Sequence, residues 1–212
     1  MSKPLILIGT GGMAREVRWI IEEINKEVKR WHILGWVSNE SEGEMMAGLP
    51  ILGDDNWLLD YGEPVDVVVS VGEGELRGEI SKRLKQNPNI SFPTIIAPSA
   101  EVSPYIKLGE GSIIMNKSLL TVDIEAGDFL LCNYGCSIGH DCKICDYVTI
   151  NPGARVSGAV VIGEKSTVGA GATIIQNINI GSNVMIGAGA TVIRDVKSEY
   201  TVVGVPAKPI IK

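Results

Sequence analysis

The chain has 212 residues, of which 45% are hydrophobic and 21% charged, enough for one large domain or two small ones with buried cores. A net charge of −6 argues against a nucleic-acid-binding surface, which needs a basic face. The sequence has no apolar run of about 18 residues, so it predicts no membrane span. The apolar stretch at the start is too short for a signal peptide, so we expect a cytoplasmic protein.

The first hundred residues have the pattern of a small parallel-sheet domain. An apolar strand at residues 5–8 leads through the glycine-rich turn 9–12 into a helix whose apolar face recurs at helical spacing from Met13 to Val28. Because strands that alternate with helices favour a parallel sheet, residues 1–97 are predicted to form a Rossmann-like α/β domain. Further strands are expected at 33–37, 65–71 and 91–96, and a further helix at 75–86.

The remaining residues, 98–212, repeat with a period of six. In steps of six from Val102 to Val192, fourteen of sixteen positions hold Ile, Leu or Val. The position after each is often Gly, which we expect to supply turn conformations at little steric cost. This period indicates a short strand and a turn, repeated, so that stacked coils bury one continuous core with the apolar residues pointing inward.

The cysteines all lie in this second half, at Cys132, Cys136, Cys142 and Cys145, and clustered cysteines raise the question of zinc. The register turns the first three toward the core, where cysteine behaves as a small hydrophobe, and puts Cys145 where Gly usually stands. Hexapeptide-repeat carbonic anhydrases bind zinc through three histidines, and this chain has two histidines in total. We therefore expect no metal.

Three motifs, taken in order, resemble one family of hexapeptide acetyltransferases. Residues 6–17 read Ile-Leu-Ile-Gly-Thr-Gly-Gly-Met-Ala-Arg-Glu-Val, residues 138–141 read Ile-Gly-His-Asp, and residues 203–208 read Val-Gly-Val-Pro-Ala-Lys. The chain resembles the sialic acid O-acetyltransferases and amino-sugar-nucleotide N-acetyltransferases. The resemblance implies a left-handed parallel β-helix, acetyl-CoA as co-substrate, a sugar acceptor, and a homotrimer with its active site between adjacent β-helices. The charge and the apolar pattern, for their part, predict no nucleic-acid or membrane partner.

The resemblance also implies a role for individual residues. Where relatives carry acidic residues this chain has Ser38 and Asn39, and where they carry histidine it has Met13, so the nucleotide is left open. The implied sites are His140 and Asp141 for catalysis; Thr149, Ala170 and Ala188 for acetyl-CoA; and Gly11, Gly12, Met13, Ser38, Asn39, Gly72 and Asn133 for the acceptor. Apart from the resemblance, the positive charge of Lys208 near the end of the chain suits either a coenzyme A phosphate or a solvated tail.

The chemistry of acetyl transfer needs a base that accepts a proton near neutral pH, which histidine does best. His32 falls beside a predicted strand and is interpreted as structural, whereas His140 falls at a turn outside the repeat core. Asp141 is expected to orient His140 and stabilise its protonated form. Asp123, eighteen residues earlier, is the alternative if three hexapeptides make one coil. No enzyme nucleophile is needed if the acceptor attacks acetyl-CoA directly.

Other functions stay open at this point. The leading hypothesis is N-acetylation of a nucleotide-linked amino sugar, and its near rival is O-acetylation of sialic acid or a related sugar. A non-enzymatic trimeric scaffold is a different class, against which the His140-Asp141 pair argues. A hexapeptide nucleotidyltransferase is disfavoured, because that class carries a much larger N-terminal domain.

Overall fold

The computed structural model describes residues 2–39 and 43–210, which divide into two compact units, Met1–Pro93 and Thr94–Lys212. The division falls four residues before the boundary placed between 97 and 98, because Ile95 and Ile96 pair with Ile113 and Ile114 of the second unit. No helix within these described residues has the length and apolar character needed to cross a membrane.

The first unit alternates strands and helices around one sheet. The turn at 9–12 is short, and α1 that follows it buries Ala14, Val17, Ile20 and Ile21 on one face. Its elements are β1 (Lys3–Ile8), α1 (Gly12–Glu27), β2 (Trp31–Val37), β3 (Met45–Met46), β4 (Leu49–Gly53), α2 (Asp55–Leu59), β5 (Val65–Val69), α3 (Gly74–Leu84) and β6 (Ile90–Ser91).

The strands of this unit, over residues 2–39 and 43–93, form a six-stranded sheet in the order β3-β4-β2-β1-β5-β6. All neighbours are parallel except β3 and β4. Strand β1 is central: β2 lies on one side and β5 on the other, so the strand order reverses at β1. In open α/β sheets, ligands collect at the carboxyl ends of the strands beside such a reversal.

Several local predictions for this unit need correction. The strand expected at 91–96 is two strands, because β6 ends at Ser91 and residues 95–96 belong to the second unit. Val28 lies one residue past the end of α1 and is 67% exposed, so it is not part of the buried helix face. The β3-β4 hairpin and α2 were missed, since their segments are short and carry little periodicity.

The second unit is a parallel β-helix made of two-residue strands joined by four-residue turns, followed by a short terminal hairpin. Its strands are β7 (Ile95–Ile96), β8 (Glu101–Val102), β9 (Lys107–Leu108), β10 (Ile113–Ile114), β11 (Leu119–Leu120), β12 (Glu125–Ala126), β13 (Leu131–Cys132), β14 (Ser137–Ile138), β15 (Lys143–Ile144), β16 (Thr149–Ile150), β17 (Arg155–Val156), β18 (Val161–Ile162), β19 (Thr167–Val168), β20 (Thr173–Ile174), β21 (Asn179–Ile180), β22 (Met185–Ile186), β23 (Thr191–Val192), β24 (Thr201–Val203) and β25 (Lys208–Pro209).

Residues 94–210 arrange these strands as three sheets, which we call faces. Face 1 contains β7, β10, β13, β16, β19, β22, β24 and β25; face 2 contains β8, β11, β14, β17, β20 and β23; face 3 contains β9, β12, β15, β18 and β21. Within the repeats each strand pairs with the strand eighteen residues later, as Leu120 does with Ile138. Three hexapeptides therefore make one coil. Corner 1–2 is the turn that leads from a strand of face 1 to the following strand of face 2. Corner 2–3 leads from face 2 to face 3, and corner 3–1 leads from face 3 back to face 1.

The core of the β-helix confirms the predicted register. All sixteen positions from Val102 to Val192 belong to one continuous apolar cluster or pack against it, with Val102 and Leu108 the partly buried members. Cys132, Cys136 and Cys142 lie inside the same cluster as packing residues. Burial raises the pKa of the Cys142 and Cys145 thiols, which keeps them neutral rather than thiolate.

The repeat glycines have a different physical role from the expected one. Gly109 and Gly163 do not adopt left-handed conformations; instead a Cβ there would lie 2.4 to 2.5 Å from backbone atoms of the next coil. They are small because adjacent coils approach closely. The left-handed conformation occurs two residues later in each turn from 109–112 to 187–190, and non-glycine residues occupy it often, among them Lys117, Asp123, Asp141 and Lys165.

Candidate functional site

The loops after β1, β2 and β5 carry the residues predicted to bind the acceptor in the first unit. These three strands are adjacent and parallel, so the loops emerge at one edge of the sheet. Backbone bonds tie them together: Gly9 N donates to Val37 O at 2.9 Å, and Ser70 N donates to Ile8 O at 3.0 Å. Gly11, Gly12, Met13, Ser38, Asn39 and Gly72 all follow the carboxyl ends of these strands.

The N-terminus of α1 lies at this edge and is open. Gly11 is its N-cap, with no side-chain cap, and a Cβ at Gly11 or Gly12 would meet nothing within 4 Å. The first N–H groups of a helix have no intrahelical partner and favour an anion. Met13 approaches the neighbouring loop, where a Cβ on Gly72 would lie 3.7 Å from the Met13 sulfur.

A buried arginine fixes the loop after β5. Arg77 of α3 is 1% exposed, and its guanidinium donates to Val71 O at 2.8 Å and Gly72 O at 3.0 Å. Beside this loop, Ser70 is 5% exposed, and its hydroxyl has no hydrogen-bond partner among the described residues. Neither residue stands out in the sequence, because only tertiary contacts show what Arg77 touches.

His140 and Asp141 lie together at corner 2–3, in the turn between β14 and β15. The His140 Nδ1 and an Asp141 carboxylate oxygen are 2.7 Å apart, and the two side chains are 64% and 63% exposed. Neighbouring side chains on an extended chain diverge, but Asp141 is left-handed, with a φ of 58°. A hydrogen-bonded Nδ1 leaves the His140 Nε2 as the nitrogen that can exchange a proton with a ligand.

The next coil supports the His140 ring from one side. Gly158 lies eighteen residues after His140, at the same position of the repeat, and Ala159 N donates to His140 O at 2.8 Å. A Cβ on Gly158 would lie 2.6 Å from both Cε1 and Nε2 of His140. The imidazole therefore lies against a backbone without a side chain. Sequence reasoning missed Gly158, although the eighteen-residue spacing points to it.

A cleft of about 360 Å³ adjoins the pair and runs along corner 2–3 and face 3. Asp141 lines one end and Tyr105 the other, two coils nearer the N-terminus of the β-helix, and Asp123 lies between them. Lys107 and Glu125 form an exposed ion pair at 2.9 Å, and its hydrogen bond lowers the pKa of Glu125 and raises that of Lys107. The lining residues are Tyr105, Lys107, Asp123, Ile124, Glu125, Asp141 and Lys143.

Corner 1–2 carries a second group of predicted residues. Asn133, Ala170 and Ala188 lie there on different coils. The two alanines are exposed and one coil apart, and Gly189 N donates to Ala170 O at 2.8 Å. Lys208 is exposed in β25, where it pairs with Val203, and a Cβ on Gly187 would lie 2.7 Å from a Val203 methyl group. Ala170, Ala188 and Lys208 thus share one region of the surface.

The structure does not bring all the predicted residues of the β-helix together. Within one chain, face 2 separates corner 1–2, with Asn133 and the alanines, from corner 2–3, with His140 and Asp141. Thr149 begins β16 on face 1 and is 2% exposed, so its side chain is not presented on the surface. Within the described residues no group of three or more His, Cys, Asp or Glu side chains is arranged to hold a metal ion.

Two family models match the chain, one in each unit. Residues 4–84 match the PglD N-terminal domain, and residues 159–194 match the bacterial transferase hexapeptide model, which describes six repeats. A 130-residue stretch, 61% of this chain, is 31% identical to uncharacterized protein L142 of Acanthamoeba polyphaga mimivirus. The chain covers only 24% of that relative's length.

Solved structures are similar over nearly the whole chain. The acetyltransferase domain of PglB from Neisseria gonorrhoeae, in complex with acetyl coenzyme A, is 31% identical over 99% of this chain and 100% of its own, with a TM-score of 0.91. A histidine-to-asparagine mutant of perosamine N-acetyltransferase from Caulobacter crescentus, in complex with CoA and GDP-perosamine, is 28% identical over 99% and 97%, with a TM-score of 0.91. This chain therefore belongs to the family of sugar acetyltransferases in which a PglD N-terminal domain precedes hexapeptide repeats.

Proposed function

We propose that this protein transfers the acetyl group of acetyl-CoA to the amino group of a nucleotide-linked amino sugar. The observation that carries the proposal is the 2.7 Å contact between His140 and Asp141 on the exposed corner of a hexapeptide β-helix. The complexes of the two similar structures with acetyl coenzyme A, and with CoA and GDP-perosamine, support the donor and the acceptor class.

In the proposed reaction, His140 is the general base. As the acceptor amine attacks the thioester carbonyl, the Nε2 of His140 takes a proton from the nitrogen, and Asp141 stabilises the imidazolium through Nδ1. The carbon–sulfur bond then breaks, the imidazolium returns the proton to the departing thiolate, and the products are an amide and coenzyme A. The acetyl group passes directly from coenzyme A to the amine, so no covalent enzyme intermediate is needed.

The donor site is proposed for corner 1–2. Ala170 and Ala188 are small and exposed there on successive coils, which leaves room for an extended chain such as the pantetheine arm. Lys208 is an exposed cation in the same region and suits a coenzyme A phosphate. Thr149 remains a prediction from the family resemblance, and its burial gives it no support from the surface.

Each unit, taken by itself, carries a surface that suits one end of the proposed acceptor. The phosphate end suits the open N-terminus of α1 at Gly11 and Gly12, where helix N–H groups favour an anion. The sugar ring suits the cleft beside Asp141, where Tyr105 offers an exposed aromatic ring and Asp123 a carboxylate for hydroxyl groups. Ser38 and Asn39 lie at the same sheet edge as Gly12 and are assigned to the nucleotide.

A homotrimer is proposed because each chain carries the two halves of the site on opposite edges of face 2. Three copies arranged around an axis with face 2 inward would bring corner 1–2 of one copy beside corner 2–3 of the next. The donor residues of one copy would then meet His140 of its neighbour. Light scattering should report three chains per particle, and a monomer at working concentration would contradict this assembly.

The main test is a thiol-release assay with acetyl-CoA against a panel of acceptors. The panel contains GDP-perosamine, other nucleotide-linked amino sugars, free amino sugars and sialic acids, with no acceptor as the blank. We expect thiol release with a nucleotide-linked amino sugar and an alkali-stable amide by mass spectrometry. An alkali-labile ester on a sialic acid would favour O-acetylation, and thiol release no higher than the blank with every acceptor would favour the scaffold.

A complementation assay tests whether the site is shared between copies. His140→Ala removes the base, and Ala188→Trp fills the proposed donor site, so each variant alone should be inactive. If the site lies between copies, coexpressed mixed trimers contain some sites with an intact His140 and an intact Ala188, and activity returns. Activity that stays absent in verified mixed trimers would place the whole site within one chain.

A further inference from the structure

The column of residues that stack above and below His140 is the basis of this inference. At steps of eighteen the chain places Val122, His140, Gly158 and Gln176 at the same position of corner 2–3. Val122 is 40% exposed and Gln176 is also exposed, so the position itself accepts a side chain. Gly158 is not left-handed, so its backbone conformation does not require glycine.

The absence of a side chain at Gly158 does have one consequence. A Cβ there would lie 2.6 Å from both Cε1 and Nε2 of His140, closer than real Cβ atoms come to other atoms, and 3.0 Å from Nδ1. The imidazole occupies the volume that an alanine methyl group would need. The clash involves the end of a rotatable side chain, so an alanine would move the ring rather than disrupt the coil.

We propose that Gly158 is a positioning residue for the general base. On this inference, which rests on the proposed function, the bare backbone of Gly158 lets the His140 ring lie along the β-helix. There its Nδ1 reaches Asp141, and its Nε2 is not covered by a side chain from the coil above. A methyl group at position 158 pushes the ring outward, lengthens the Nδ1 contact with Asp141 and misaligns Nε2.

Gly139 contributes to the same arrangement from the His140 side. A Cβ on Gly139 would lie 2.7 Å from Gly158 N and 2.9 Å from the carbonyl carbon of Ser157. These are backbone atoms that cannot rotate away, so alanine at Gly139 would separate the coils. Gly158→Ala is therefore the informative variant, because it changes the ring position while the coil spacing is retained.

The kinetic test compares Gly158→Ala with Gln176→Ala, which alters the same repeat position one coil further on. We expect Gly158→Ala to lower kcat by about 10- to 10²-fold, the scale of a misplacement near 1 Å, with an unchanged KM for acetyl-CoA and an unchanged melting temperature. Gly158→Val should lower kcat further, and Gln176→Ala should match wild type. Wild-type kcat in Gly158→Ala overturns the inference.

A double-mutant cycle separates positioning from a structural role. Gly158→Ala and Asp141→Asn break the same Nδ1 contact, so the double variant should lose little more kcat than Asp141→Asn alone. A loss of kcat with a lowered melting temperature and additive effects in the double variant would assign Gly158 to folding alone.

A spectroscopic test does not depend on the acceptor. The chain has two histidines, so the Cε1–H resonance of His140 can be assigned by comparison with His32→Ala. Gly158→Ala should move the chemical shift of the His140 resonance and leave that of His32 unchanged. An unmoved His140 resonance overturns the inference even if the enzyme is active. A moved resonance with no acceptor turned over would contradict the proposed function while the ring placement stands.

Discussion

The two units of this protein specify their candidate sites in different ways. In the first unit, Gly12, Ser38 and Gly72 are far apart in sequence and meet because β1, β2 and β5 are adjacent parallel strands. In the β-helix, His140 and Gly158 meet because an eighteen-residue coil stacks equal repeat positions. In an open α/β sheet, the order of the strands decides which loops lie together at a site. In a solenoid, the number of residues per coil decides which residues stack there.

This difference explains how each unit tolerates change. The sheet edge consists of loops with open space at Gly11 and Gly12, so a ligand can be altered there without repacking a core. In the β-helix the inward positions form one continuous cluster, and a Cβ on several repeat glycines would meet the next coil below 3 Å. Variants at the sheet edge and in the β-helix therefore test whether the two units tolerate substitution differently.

The largest effect is expected when the β-helix loses its histidine. His140→Ala should lower kcat by about 10²-fold or more, because a general base contributes about 10²- to 10⁴-fold. Acetyl-CoA should still bind, since Ala170 and Ala188 lie at a different corner. His32 is the exposed residue of β2 in the first unit, so His32→Ala is the matched control and should keep wild-type kinetics. Equal losses in both variants would remove His140 from the role of base.

The next largest effect concerns the repeat core. Ile150 is fully buried in the β-helix, so Ile150→Ala should lower the free energy of unfolding by about 2–5 kcal/mol, through lost burial and the cavity that remains. Met185 points outward from face 1 and is 46% exposed, so Met185→Ala should change it by less than about 0.5 kcal/mol. Denaturant unfolding measures both, and equal costs would contradict the inward and outward alternation.

A smaller effect is expected at the sheet edge. Gly12→Val should raise the KM for a nucleotide-linked acceptor about tenfold, a binding loss of roughly 1.4 kcal/mol, because a side chain would crowd a phosphate on the α1 N–H groups. Affinity for acetyl-CoA should not change. Gly62→Val is the control, since position 62 of the same unit is also open. If Gly12→Val is silent and a free sugar is the better acceptor, the nucleotide-sugar assignment fails.

The smallest effect is expected from the exposed ion pair in the cleft. The Lys107 hydrogen bond lowers the pKa of Glu125, so the pair stabilises the fold above the ordinary glutamate range and loses that contribution as pH falls through the lowered pKa. Glu125→Gln should lower the melting temperature slightly near pH 7 and not at about pH 3. A larger difference at the acidic pH would contradict this sign.

Much of the β-helix was predictable because its signal repeats. The six-residue period located the core from Val102 to Val192, placed Cys132 and Cys136 inside, and left His140 outside. In the first unit the same reasoning found β1, α1, β2, β5 and α3, whose apolar patterns are strong. It missed α2 and the β3-β4 hairpin, because segments of two to five residues carry too few apolar positions to show a period.

By itself, the sequence determined the two-unit organisation, the inward register and the candidate base, because hydrophobic periodicity and a rare residue type are local properties of a chain. Only the tertiary structure decided that left-handed Asp141 turns its carboxylate onto His140, that Gly158 lies against the ring, and that Arg77 holds the Gly72 loop. Those facts depend on backbone dihedral angles and on contacts between distant segments, which are settled when coils stack and helices pack.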